Sequence, residues 1–203
     1  MVNTLKSWND PRDTLYFTKA PDSTYKGGLP GASNSAALLS SFSTQWTAAT
    51  YPSDLLDYAE SQFLLAEAVE RGFLTSGGTA EQYYDAGITA SIEFWGGTAG
   101  QAAAYLAQPA VAYATAAGDY KQKIGYQEWI ALINRGWDAW TSIRRLGQPA
   151  IDAISPPTGA QGNMPLRFYY PLAEETANPV NWTAAAKTLS GGDVVSSKLF
   201  WMH

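Results

Sequence analysis

The middle of the chain carries apolar residues at the spacing of an α-helix. From Ser53 they recur every three or four positions up to Arg71–Gly72, where a cation followed by glycine is typical of a helix end; they are Leu56, Ala59, Phe63, Ala66 and Val69. Thr79 and Gln82 have the spacing of a capping box and predict the start of a second helix, which Gly96–Gly97 ends. The pattern therefore predicts two consecutive helices.

Further helices are expected after this pair. A short alanine-rich helix over 101–108 ends before Pro109, because proline disfavours helical geometry in the residue that precedes it. A stripe of bulky residues then predicts helix as far as Leu146, with a break at Gly136; it consists of Tyr126, Trp129, Ile133, Trp137, Trp140 and Ile143. Because the three Trp residues lie at helical spacing, we expect Trp129, Trp137 and Trp140 to be buried in the core.

The two ends of the chain show no lasting apolar period. Residues 1–52 mix Pro and Gly with short aromatic runs and predict loops, with one short strand at Thr14–Phe17. Residues 150–203 are rich in Pro, Gly and Asn, and we expect an irregular segment that packs on the helices. The chain thus divides into a loop-rich segment (1–52), a helical core (53–149) and a C-terminal irregular segment (150–203), and the predicted fold class is all-α.

Composition and charge exclude several classes of function. The 203 residues are 46% hydrophobic and only 15% charged, which is typical of a globular protein. A net charge of −5 lacks the basic face that nucleic-acid binding needs. The sequence has no Cys, and its only His is the last residue, His203, so thiolate zinc sites and imidazole-based triads are excluded. We expect no metal site, no cofactor and no membrane-spanning segment.

The acidic residues of the first helix do not have the spacing of a catalytic pair. Glu60 and Glu67 are seven positions apart, or roughly 10 Å along a helix, which exceeds the ~5–9.5 Å between glycosidase carboxylates. A structural role fits better, in which Glu60 and Glu67 form interhelical ion pairs with Arg144 and Arg145. Independent solvated charges are an equally open alternative. We therefore predict no catalytic residues.

The aromatic content is high, with seven Phe, eight Trp and twelve Tyr. Rings in irregular segments are not forced inward by a helical period, and flat rings in loops stack on sugar faces. The candidate ligand-binding residues are Trp46, which has the largest flat face, then Tyr25 and Tyr51, with Trp8 and Tyr16 behind them. The alternative is that these rings fill small satellite clusters of the core.

Five blocks of sequence, in order, resemble the SusD/RagB family of nutrient-binding proteins. The helix pair reads YAESQFLLAEAVERGF (58–73) and AEQYYDAGITASIEFWG (80–96). The other blocks are NDPR at Asn9–Arg12, QEWIALINRGWDAWTSIRRLGQP at 127–149, PLRFYYP at 165–171 with the Glu174, Asn178 and Asn181 spacing after it, and KLFW at 198–201. Any one block is weak, but their order over nearly the whole chain is specific.

The resemblance implies a fold and a function. It implies tetratricopeptide-like helix pairs in a SusD-like α/α superhelix with long irregular loops, residues 53–95 forming one pair and 1–52 part of the ligand-binding lobe. The chain resembles the C-terminal portion of an outer-membrane lipoprotein, since the family's lipoprotein signal and lipid-bearing cysteine are absent from it. Such a protein is a lid on a TonB-dependent (SusC-like) transporter at the cell surface. It binds a glycan without catalysing a reaction on it, and it is attached to the membrane only through its N-terminal lipid anchor.

Three other functions remain open on the residues alone. A peptide-binding lid of the same family would use grooves that pair with a backbone rather than aromatic platforms. A helical-repeat scaffold would bind a protein partner through its concave face. A degenerate α/α hydrolase would need facing carboxylates in one cleft, which the spacing of the acids does not favour.

Overall fold

The computed structural model describes residues 1–151 and 164–202. These residues contain nine α-helices, two short 3₁₀ turns (36–38 and 44–47) and no β-sheet. The helices are α1 Val2–Ser7, α2 Arg12–Tyr16, α3 Tyr58–Glu70, α4 Ala80–Phe94, α5 Ala99–Leu106, α6 Tyr120–Ala131, α7 Gly136–Leu146, α8 Leu172–Ala177 and α9 Pro179–Lys187. The predicted all-α fold is confirmed. The chain forms two compact units, one of residues 1–27 and 35–149, the other of 28–34 and the described residues from 150 onward.

Helices α3 and α4 form the predicted tetratricopeptide-like pair. α3 begins at Tyr58, because the Asp57 side chain accepts a hydrogen bond from the Glu60 N–H at 2.7 Å, so the expected start at Ser53 was too early. α4 begins with the predicted capping box of Thr79 and Gln82. The absence of a side chain at Gly87 lets the helices approach closely, since a Cβ there would lie 2.9 Å from the Phe63 ring.

The core of the first unit lies between α3, α4, α5 and α6. Its largest side chains are fully buried, and each comes from the inward face of its helix or from the loop after α5; they include Phe63, Tyr84, Ile88, Ile92, Tyr105, Val111 and Ile124. Burying such side chains stabilises a fold by about 1.5–3 kcal/mol each. The helical pattern of the sequence therefore identifies the side chains whose burial contributes most to the free energy of folding.

The tryptophan stripe of the sequence does not form one buried face. Residues 132–135 separate α6 from α7, so the stripe loses its phase, and α7 instead buries Ala139, Ser142 and Leu146. Trp137 is 68% exposed and Trp140 and Trp129 are half-buried. The Arg144 guanidinium lies 3.6 Å from the centre of the Trp140 ring. The prediction that these Trp residues are fully buried was wrong, and most clearly so for Trp137.

The ends of the chain are more helical than predicted. Residues 12–16 form α2, so the strand expected at Thr14–Phe17 is wrong; only Phe17 is extended, in an isolated bridge with Phe42. Residues 172–187 form α8 and α9, although we expected an irregular segment there. Pro179 stands at the first turn of α9, a position where its missing N–H costs nothing. Residues 152–163 and His203, which that prediction also covered, lie outside the described residues.

In the second unit, Asp193 organises the chain around the PLRFYYP block. Its carboxylate accepts hydrogen bonds from Arg167 Nη1 at 2.5 Å, Trp182 Nε1 at 3.0 Å and the Tyr170 N–H at 3.1 Å. Burial opposes ionisation, but these donors hold the pKa of Asp193 below its ordinary value. The Arg167 guanidinium also lies 4.8 Å from the centre of the Tyr170 ring.

Candidate functional site

The NDPR block holds α2 against the helical core. Arg12 is fully buried and donates from Nε (2.9 Å) and Nη2 (2.7 Å) to the Asp10 carboxylate. It also donates to Gln127 Oε1 on α6 at 2.6 Å and to Ser91 Oγ on α4 at 3.1 Å. Such bidentate, charge-assisted contacts fix orientation as well as distance. The Arg12 network therefore sets the position of α2, and with it the position of Tyr16 at the end of that helix.

An aromatic cluster is built on Tyr16; its members are Tyr16, Phe17, Phe42, Trp46, Tyr51 and Trp95. The Trp46 and Trp95 rings stack at 4.4 Å with an interplanar angle of 16°. Phe42 stacks on Trp46 at 4.8 Å, and Tyr51 lies parallel to Trp46 at 6.4 Å. Tyr16 meets the edge of Trp95 at 5.1 Å. Three of the predicted ligand residues, Tyr16, Trp46 and Tyr51, are thus brought together.

The members of this aromatic cluster differ in exposure. Tyr16 is fully buried and donates to the Ile130 carbonyl at 3.1 Å, so it has no face for a ligand and the prediction for this residue was wrong. Trp95 is 4% exposed, whereas Phe42 is 52% exposed. Trp46 is half-buried and already stacked on both Phe42 and Trp95. Part of the aromatic cluster is therefore a small satellite of the core, which is the alternative to ligand binding given in the sequence analysis.

A cavity of about 260 Å³ adjoins the aromatic cluster at Tyr51; it is lined by Tyr51, Pro52, Ser53, Asp54, Asn134 and Arg135. Asn134 Nδ2 donates to the Tyr51 hydroxyl at 3.2 Å. Burial, and then the nearby Asp54 carboxylate, raise the pKa of Tyr51. Within the described part of the chain, Asp54 Oδ2 and Arg135 Nε are buried without a hydrogen-bond partner. Both atoms belong to residues of the lining, but neither atom is itself exposed to the cavity.

Arg135 builds the wall of this cavity. It is 7% exposed and lies at the corner between α6 and α7. Its Nη1 donates to Glu60 Oε2 at 2.5 Å and its Nη2 to Asp57 Oδ2 at 2.8 Å. Burial raises the pKa of Glu60, although Arg135 favours the charged form. Glu60 is therefore paired with Arg135, whereas the sequence analysis had paired it with Arg144 or Arg145.

The second predicted ion pair lies inside the helical core. Arg145 Nε is 2.7 Å from Glu67 Oε2, and its Nη2 is 2.9 Å from Glu128 Oε1. Ser142 also donates to Glu128 Oε2 at 2.7 Å. Glu67 and Glu128 are both buried, so the alternative of a solvated charge does not hold for Glu67. These contacts join α3, α6 and α7, while Arg144 covers the Trp140 ring.

The segment that carries Phe42, Trp46 and Tyr51 is anchored at both ends. At its start the Thr18 N–H donates to the Ser41 carbonyl at 2.8 Å and the Ser43 N–H to the Tyr16 carbonyl at 2.9 Å. At its end, Arg135 holds Asp57 in the ion pair described above. We call residues 41–57 the anchored segment.

The remaining ligand candidates lie elsewhere in the first unit. Trp8 is half-buried, with its ring 5.4 Å from that of Tyr126, and it lines a second cavity of about 240 Å³. Tyr25 is half-buried, and its carbonyl accepts from Lys6 Nζ at 3.4 Å. No ring pair in the described ranges joins Trp8 or Tyr25 to the aromatic cluster.

The sequence analysis missed several residues of this site, among them Phe42, Asp54, Trp95, Asn134 and Arg135. Trp95 was assigned to the second helix without a role in the site, yet its place just before Gly96 marks a helix end, where a ring can leave the helical face. Arg135 stands in the break between two helical patterns, and such a cation is free to cap another element. No local signal in the sequence distinguishes Phe42, Asp54 or Asn134.

Residues 1–151 and 164–202 contain no group of three His, Cys, Asp or Glu residues arranged to hold a metal ion. In the same ranges, every helix is too short or too polar to cross a bilayer.

Comparison with known proteins identifies the family. Residues 1–171 match the SusD-like_2 family, described as starch-binding associating with outer membrane, and the chain belongs to this family. No curated protein is similar enough to count as a match.

Solved structures of SusD homologues share the fold. A chitin-binding protein superposes with a TM-score of 0.80 at 28% identity, covering 99% of this chain and 48% of its own. A SusD homologue from Bacteroides vulgatus gives 0.80 at 27% identity, with the same coverage. A chitin-binding SusD homologue from Flavobacterium johnsoniae gives 0.75 at 27%, covering 98% of this chain and 48% of its own. The chain thus spans about half the length of these proteins.

Proposed function

We propose that this chain belongs to a non-catalytic glycan-binding protein and that it contacts one sugar unit in the cavity beside Tyr51. The observation that carries the proposal is the lining of this cavity, in which the Tyr51 ring lies beside the polar side chains of Asp54 and Asn134. Sugar hydroxyls both donate and accept hydrogen bonds, so they match the carboxylate and amide groups of this lining.

The surroundings of the cavity suit a carbohydrate. Aromatic rings next to a few fixed polar groups are the usual lining of a sugar site, because the apolar faces of a sugar stack on rings while its hydroxyls need partners. Tyr51 borders the cavity, and the exposed Phe42 ring continues the aromatic surface outward. The volume of about 260 Å³ is below that of pockets for drug-sized ligands, so we expect one sugar unit to enter while the rest of the glycan lies outside.

Trp46 has a supporting role in this proposal. Its ring stacks on Phe42 and lies parallel to the ring of Tyr51, so it orients both of these rings. The first-ranked candidate of the sequence analysis thus becomes a ring that orients the contact residues. Tyr51 takes its place as the residue that meets the sugar.

The test is a calorimetric titration of this chain with neutral malto- and chito-oligosaccharides. We expect one of the two to bind, and we expect Tyr51→Ala to weaken that binding by about 1–3 kcal/mol, by analogy with base stacking on aromatic rings. Phe73→Ala is the matched control, because Phe73 is 79% exposed and lies outside the cavity lining. Equal affinities of wild type and Tyr51→Ala would refute the site. Binding of peptides but of no oligosaccharide would refute the glycan and support the peptide-binding alternative.

For the longer protein we propose a place in nutrient uptake. Its relatives are SusD homologues and its family is described as associating with the outer membrane, which supports a cell-surface lipoprotein that acts as a lid on a TonB-dependent transporter. The test is isolation of the full-length protein from outer membranes in mild detergent. Its recovery together with a TonB-dependent transporter supports the proposal, and its recovery alone contradicts it.

A further inference from the structure

The cavity beside Tyr51 has an unbalanced set of charges. Arg135 is the one cation in its lining, and its guanidinium is already shared between the carboxylates of Asp57 and Glu60. Asp54, in the lining itself, adds a third carboxylate. Two carboxylates are thus paired with the one guanidinium and a third lies in the lining beside it, and the nearby Asp138 further disfavours the charged form of Glu60. The local field at the cavity is negative.

This field acts directly on a ligand in the cavity. Arg135 is 7% exposed and the Asp54 Oδ2 atom is buried, so solvent screens their interactions less than it would on an open surface. The charge of the Arg135 guanidinium is neutralised by its two partners, Asp57 and Glu60, and does not attract an anion. A carboxylate or sulfate group would therefore face Asp54 without compensation.

We infer that the cavity selects its glycan by charge: the Asp54 carboxylate favours neutral and cationic sugars over sugars that carry carboxylate or sulfate groups. This inference rests on the proposed function, because it concerns the same cavity. Rejection through an uncompensated charge is a general route to specificity, since it separates ligands of equal shape. Asp54 is then the specificity-determining residue, whereas Tyr51 supplies affinity to every form of the sugar.

The experiment uses one chito-oligosaccharide length in three forms: acetylated (neutral), de-N-acetylated (cationic) and sulfated (anionic). Each is titrated into the wild-type chain and into Asp54→Asn at low and at high salt. In the wild type we expect the sulfated form to bind at least tenfold more weakly than the neutral form. We expect the cationic form to bind at least as tightly as the neutral one. Added salt should narrow these differences, because it screens charge.

Asp54→Asn keeps the shape of the side chain and removes its charge. We expect it to reduce the difference between neutral and sulfated forms several-fold. Asp22→Asn is the matched control, because Asp22 is an exposed acid paired with Lys26 away from the cavity, and it should change nothing. Equal binding of sulfated and neutral forms to wild type, or an unchanged difference in Asp54→Asn, would overturn the inference while leaving glycan binding intact. Failure of all three forms to bind would overturn the proposed function together with this inference.

Discussion

Replacing Arg12 by Met tests whether the NDPR block holds the first unit together. The substitution keeps a long apolar stem but removes the guanidinium that donates to Asp10, Ser91 and Gln127. The Asp10 side chain is fully buried and would lose its only cationic partner in the ion pair. Removing one member of a buried ion pair costs about 3–5 kcal/mol, because the other charge stays buried without compensation.

That cost is a large fraction of the stability of a domain, which is typically about 5–15 kcal/mol. Chemical unfolding followed by tryptophan fluorescence measures it. We expect the midpoint of Arg12→Met to fall strongly while that of Lys26→Met does not move, because the Lys26–Asp22 pair is exposed. If Arg12→Met does not fold in buffer, Arg12→Lys supplies the measurement, since it keeps the charge but loses the bidentate geometry.

The same variant reports on the candidate site. α2 carries Tyr16, on which the aromatic cluster is built, so a displaced α2 should disturb the Trp46–Trp95 stack. The coupling of two stacked indoles gives a circular-dichroism signal, and we expect it to shrink in Arg12→Lys before global unfolding. A loss of about 1 kcal/mol or less in Arg12→Met, with the signal unchanged, would refute a structural role for the buried pair.

Three further outcomes follow from the structure. Trp137→Ala should lower the free energy of unfolding by about 1 kcal/mol or less, because the side chain is 68% exposed. A loss above about 3 kcal/mol would show instead that Trp137 is a buried core residue. Trp46→Ala should lower the same quantity by about 2–4 kcal/mol, because the ring stacks on Phe42 and Trp95, and unchanged melting would contradict this. Burial raises the pKa of Glu60 above its ordinary value of 4.5, so its contribution to stability is present below that pH and is lost as the pH rises through the raised pKa. The free energy of unfolding should therefore fall less steeply with rising pH in Glu60→Gln than in the wild type. Parallel curves of this free energy against pH for the two proteins would refute the raised pKa of Glu60.

The helical part of the fold was readable from the sequence because its determinants are local. The capping box at Thr79 and the apolar period of α3 and α4 depend on residues within one or two turns of each other. The prediction from the tryptophan stripe was wrong because it, too, used only local spacing. A period carries no information across an irregular break, and residues 132–135 rotate α7 so that small residues such as Ala139 face inward.

The candidate site was only partly readable because its contacts join distant segments. Tyr51 and Trp46 were found by composition alone, since large rings in irregular chain stand out. Trp95 and Arg135 come from the ends of helices, and only the fold brings them to the loop. The ion pairs show the same division, because Glu67 meets Arg145 as expected while Glu60 meets Arg135, a residue placed by the corner between α6 and α7.

The anchored segment has a consequence for protein engineering. Both of its ends are fixed by groups outside it. At its start, Ser41 and Ser43 form backbone hydrogen bonds with Thr18 and Tyr16, and at its end Asp57 forms an ion pair with Arg135. A loop with fixed ends tolerates a change of length cheaply, because closure entropy grows only with the logarithm of the number of residues. The residues between these anchors, other than Trp46, can be exchanged. Grafting a foreign sequence between positions 44 and 56 that keeps Trp46 stacked on Trp95 should give new ligand preferences on an unchanged helical scaffold.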